Sequence, residues 1–193
     1  MHRPILVEAP AVLPVSLPDV KQALRIEHSD DDMVLEGLIR SAVDHYEGWN
    51  GILGIVLVEQ TWRQDFDCFS DCMRLPLGPV QEVVSVKWRN RLGQLFTVAA
   101  SDYALRTDGG GRSFVRFGSS YSRPSDFYES EAVQVEYKAG WPVVDGRSTV
   151  PHDLRTAIIL RVQLSYDEAA ENNSANVQRV EDALISKYRR MYI

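Results

Sequence analysis

Four histidines, two cysteines, an acidic triplet and a glycine run are the residues whose types could do chemistry, and their spacing decides what they can do. Asp30-Asp31-Asp32 could bind a divalent cation, but the alternating ligands, central Gly and closing Glu of a calcium loop are missing. Negative side chains ahead of an apolar-periodic stretch instead complement a helix N-terminus. His2, His28, His45 and His152 are scattered, none belongs to an HExxH or similar ligand pair, and His45 and His152 have no paired nucleophile in sequence, so each reads as a cap, surface or packing residue. Cys68 and Cys72 lack the second Cys/His pair that zinc requires and are too few for a disulfide framework. Gly109-Gly110-Gly111 is not followed by Lys-Ser/Thr and joins no strand to a helix, so it reads as a hairpin tip and not as a phosphate loop. No GxSxG elbow is present. These residues predict no catalytic, cofactor-binding or metal-binding site, and no enzyme.

The end of the chain has a different chemistry. Lys187, Tyr188, Arg189, Arg190, Met191, Tyr192 and Ile193 combine positive charge with aromatic and aliphatic surface. Tyr, Arg and Met are enriched at protein interfaces. A basic last turn also suits the helix dipole. Both readings stand, with the interface preferred.

The elements that must position these residues follow from composition and periodicity. With 193 residues, 45% of them hydrophobic, the chain can bury its own core as one compact domain. No window approaches the roughly 20 apolar residues of a membrane helix. Prolines at 4, 10 and 14 interrupt any signal-peptide helix, so cytoplasmic synthesis is expected. A net charge of -6 argues against tight unspecific binding of DNA, yet suits a channel wall past which DNA slides.

After an extended leader over 1–15, Ser16 can cap a first helix with Pro18 and Asp19 in its first turn. Ser29 with Asp32 suggests a capping box for a second, whose stripe is Leu35, Leu38, Ile39, Ala42, Val43 and Tyr46. Helices thus occupy 16–50. From Ile55 the period shifts towards two, and a β-rich stretch runs to 140, with strands expected at 95–98, 103–106, 113–117 and 132–137. Trp62, Trp88 and Trp141 read as packing residues of this region or its junction with the helices. Helices return over 150–193, one starting at Pro151 and one carrying Val177, Val180, Leu184, Ile185 and Tyr188. Consecutive strands between helices predict an α+β fold: N- and C-terminal helices forming a bundle, with an inserted antiparallel β region.

Several of these pieces, in this order, carry a resemblance: Leu17 to Ile26, Ser29 to Asp32, Leu35 to Ile39, Gln60-Thr61-Trp62, Leu75 to Val80, Val83 to Val86, Tyr137 to Pro142 and Val150 to Ile158. The sequence resembles the head-tail connector, or adaptor, family of tailed phages, prophages and gene transfer agents. That resemblance implies one connector domain over 1–193, assembled as a ring, commonly of twelve, beneath the portal protein. It implies a tail-side completion protein as the other partner, DNA passing through the channel without specific binding, and no membrane. The expected location is the virion or phage-like particle, assembled in the bacterial cytoplasm. In such rings the C-terminal segment docks on the portal, which here is Lys187 to Ile193; the family has no catalytic residues to transfer and no cofactor. The alternatives are a tail-completion or head-closure protein of the same particle, and a small soluble enzyme.

Overall fold

The computed structural model describes residues 2–167 and 174–189. Among them, ten strands and four α-helices alternate in blocks, giving a mixed α+β fold in which every named strand pair is antiparallel. The chain clusters into two compact units, 1–11 with 59–140, and 12–58 with 141–193.

The first unit is β-rich. A five-stranded sheet has the order β1 (Ile5–Glu8), β2 (Gln60–Phe66), β8 (Val133–Ala139), β4 (Val80–Arg89), β5 (Leu95–Thr97). Its central strand β8 alternates, burying Val133, Val135, Tyr137 and Ala139, as a strand with one face on a core must. A smaller sheet sets β3 (Met73–Arg74), β7 (Ser113–Phe117) and β6 (Tyr103–Thr107) side by side. Met73 and Val115 face each other on its buried side. The glycine run forms the tip between β6 and β7, where Gly111 has a φ of 76° and the Asp108 carboxylate accepts the N–H groups of Gly110 and Arg112. The leader is more than extended: it pairs with β2 as an edge strand. Ile55 to Val58, expected to open the strand region, form only isolated bridges in the other unit, and the ladder starts at Gln60.

The second unit contains α1 (Leu17–Leu24), α2 (Asp32–Tyr46), α3 (His152–Tyr166), α4 (Ser174–Ile185) and the short β9 (Val143–Val144) and β10 (Arg147–Ser148). All four helices contribute to one apolar core, through Val20, then Leu35, Ile39 and Tyr46, then Leu154 and Ile158, then Ile185. Ser16 and Asp19 form a reciprocal capping box at the start of α1. The second box does not form. Asp31, not Ser29, is the N-cap of α2 and makes no side-chain cap bond, because its carboxylate accepts from Tyr166 Oη at 2.7 Å while Asp32 pairs with Lys21 at 2.6 Å. Two of the three acidic side chains thus tie helices together.

Candidate assembly interface

The C-terminal end is built on α4, whose buried face differs from the apolar stripe read in the sequence. Val180 is exposed, and Glu181, one position on, is buried. Glu181 accepts hydrogen bonds from Tyr46 Oη of α2 and, at 3.0 Å, from Arg161 Nη1 of α3. One carboxylate therefore joins three helices. Burial, with the Glu181 bond second, pushes the Tyr46 phenol far above its ordinary value, so it stays a donor. Beside it, His45 stands edge-on to Tyr46 at 5.1 Å, and burial, followed by the charge of Arg161, lowers its pKa. The network was missed in the sequence because Glu181 occupies an apolar position of the helix and its partner Tyr46 is 135 residues away. A charge at the i+4 step between Val177 and Ile185 was the available signal.

Beyond α4 a 3-10 turn, Ser186–Tyr188, continues the chain. Of the residues expected to bind a portal, Lys187 pairs with Asp153 at the start of α3, Tyr188 packs edge-on against Trp141 at 6.1 Å, and Arg189 pairs with Asp182. Lys187 and Arg189 keep 60% and 54% of their side-chain surface exposed, so these pairs leave both cations accessible. Arg190, Met191, Tyr192 and Ile193 lie outside the described residues.

The residues tested for chemistry are dispersed. His2 meets Asp67 at 2.8 Å in the β unit, His28 is 4.0 Å from Asp31, and His152 opens α3. Cys68 and Cys72 are free and exposed. Among the described residues no group of three or more His, Cys, Asp or Glu side chains is placed to hold a metal, and no helix is long and apolar enough to cross a membrane.

Contact surface lies elsewhere too. The five-stranded sheet has two open edges, and both are apolar: Ile5, Leu6 and Val7 on β1, Leu95 and Phe96 on β5, with Leu92 in the adjoining turn, are all exposed. Unguarded edges of this kind invite pairing with another chain. Sequence reading missed β1 because a short leader between prolines carries no alternation.

The chain is similar in fold to a chain from the virion of a native gene transfer agent particle, with a TM-score of 0.76 and 20% identity, covering 98% of this chain and 96% of that one. It is similar to a chain from the neck of an empty gene transfer agent particle computed with C6 symmetry (0.76, 21%, 100% and 97%). A third such chain comes from the neck of the native particle computed with C12 symmetry (0.69, 21%, 98% and 97%). No curated protein sequence matches. The family match covers α1, α2 and β2 to β5, up to the start of β6: residues 14–103 match the model of the phage gp6-like head-tail connector protein family.

Proposed function

We propose that this chain is a head-tail connector subunit that assembles as a ring beneath the portal of a phage or phage-like particle, joins head to tail and leaves a channel for DNA. The observation that carries the reading is the connector-family match over residues 14–103. The likeness to chains of two necks, which covers 98% or more of this chain, supports it, as those necks were computed with six- and twelve-fold symmetry. In this reading both compact units work as one connector domain, with the N- and C-terminal helices as a bundle and the β unit as its insertion. The open apolar edges β1 and β5 supply surface for neighbouring copies, since a head-to-tail contact between two different patches closes into a ring. Twelve copies, assembly in the bacterial cytoplasm and a tail-side completion protein complete the proposal.

The segment Lys187 to Ile193 is the proposed portal-binding end. Lys187, Tyr188 and Arg189 anchor it to the helical unit, which leaves Arg190 to Ile193 for the partner. The test is capture of the full chain, and of a chain lacking Met191 to Ile193, on immobilised portal protein and separately on the tail-side protein. The reading expects portal capture of the full chain, abolished by the deletion while the melting temperature holds. A lowered melting temperature with capture retained would assign these residues to the fold and sink the docking role. Capture by the tail-side protein alone would make the chain a head-closure protein.

A further inference from the structure

The small sheet of the β unit has a second face that the connector reading leaves unused. Ladder register sets Arg74 of β3, Phe114 of β7 and Arg106 of β6 in one row across the sheet, with Arg116 and Ala104 as the neighbouring pair. Directly paired residues point to the same side, so Arg74, Arg106 and Arg116 share the face opposite buried Met73 and Val115. Strand spacing and rise put their backbone positions within about 10 Å of one another. All three are exposed, and among the described residues none of them forms an ion pair. Six other cations, Lys21, Arg63, Arg112, Lys138, Arg155 and Arg161, each meet a carboxylate.

Arg106 and Arg116 also line an open cleft of about 880 Å³ with Arg123. Two carboxylates stand at its rim, Asp71 and Asp102. Asp71 is paired with Arg123 at 2.5 Å, and that hydrogen bond first, then the charges of Arg123 and Arg116, hold its carboxyl below the ordinary range. With Arg74, Arg106, Arg116 and Arg123 against Asp71 and Asp102, the surface stays cationic on a chain whose net charge is -6. Arg74, Arg106 and Arg116 form no ion pair with either carboxylate, and gathering their like charges on one face favours an anion there.

We propose that this arginine face binds the phosphate backbone of nucleic acid, independently of sequence. Two features favour phosphate over an acidic protein surface. Every cation on the face is Arg, whose planar fork matches phosphate oxygens. On the paired strands this face carries one large apolar side chain among the described residues, the half-buried Phe114, and the aromatic residues Tyr103, Phe117 and Tyr121 stand at the adjoining cleft, so the arginines are not arranged round an apolar centre as in a protein interface. Because the rest of the chain is acidic, such a surface guides a polyanion at one place without clamping it.

The test is fluorescence anisotropy of a labelled random-sequence duplex with the full-length protein, titrated with salt from about 50 mM, where counterion release is legible. The Arg74→Ala, Arg106→Ala, Arg116→Ala variant is compared with Arg40→Ala, Arg147→Ala, Arg179→Ala, which removes the same charge from exposed positions elsewhere. The face variant is expected to bind on the order of 100-fold more weakly and to flatten the log–log salt slope by about 2 to 3, roughly 0.9 for each phosphate that is no longer neutralised. The control is expected to keep the slope, and both to keep the melting temperature. No binding by the unaltered protein, or equal weakening in the two variants, would overturn the proposal. Displacement of the duplex by polyglutamate as readily as by unlabelled duplex at equal charge would reassign the face to an acidic polypeptide. None of these outcomes bears on portal capture, so the connector reading stands or falls separately.

Discussion

Glu181 and Asp65 are both buried carboxylates, and they act in opposite senses. Glu181 is satisfied by two donors from two other helices. Glu181→Ala would leave the Tyr46 hydroxyl and the Arg161 guanidinium facing each other without their acceptor, at a cost of about 2 kcal/mol, discounted because Arg161 is partly exposed. Chemical denaturation measures this, and a change below a few tenths of a kcal/mol would show that the network contributes nothing. Its pH signature is set by Tyr46, whose folded pKa is raised above the ordinary 10.0. The folded state then holds a proton that the unfolded state releases, so stability is constant below that value and falls as pH rises above it. Tyr46→Phe should flatten this alkaline limb.

Asp65 is 1% exposed, and burial raises its pKa from 3.8 despite the opposing charge of Arg63. A raised folded pKa means that its favourable contribution is present below the ordinary value and is lost as the pH climbs through the folded one. At neutral pH the ionised carboxylate is therefore a cost. Asp65→Asn is expected to stabilise the protein by about 1 kcal/mol at pH 7 and to gain nothing near pH 3. A destabilised Asn variant at pH 7 would mean that the Arg63 pair outweighs desolvation.

At the scale of elements, the strand face of Trp88 shows how pairing sets the value of a side chain. Its indole stacks on Phe96 of β5 at 4.7 Å and meets Phe127 edge-on at 6.2 Å, yet it stays partly exposed because β5 is an edge strand. Trp88→Ala should cost about 2 kcal/mol, below the range for a fully buried aromatic, with loss of β5 pairing visible as faster hydrogen exchange at Leu95 to Thr97. Full protection there would show that the stack does not hold β5. What was legible in the sequence follows local rules: β7 at 113–117, the Pro151 helix start, Ser16 as the cap of α1 and the glycine tip all depend on neighbouring residues. What was not legible depends on distant partners. Lys21 and Tyr166 draw off the carboxylates expected to cap α2, β2 recruits the leader as β1, and helices α2 and α3 turn the Glu181 side of α4 inward in place of Val180. At the C-terminal end, composition marked contact chemistry, but the internal pairs of Lys187, Tyr188 and Arg189 arise from Asp153, Trp141 and Asp182, which periodicity does not place.

For the whole molecule, the fold offers surface to other chains more readily than a site for chemistry. Apolar residues stand on the two open sheet edges, cations on the outer face of the small sheet, and mixed aromatic and basic residues at the end of the chain. Leu6→Lys on β1 should weaken self-association without lowering the melting temperature, since Leu6 is 45% exposed and an edge lysine deters strand pairing. Light scattering on a template of portal protein would register it, and unchanged assembly would exclude β1 from the contact between copies. The central claim is that many copies of this chain assemble on a portal. Native mass spectrometry of the chain mixed with its portal protein measures that directly. The account predicts a complex carrying a ring of copies, twelve if the ring matches the symmetry of one similar neck. A chain that stays monomeric beside an unoccupied portal would contradict it.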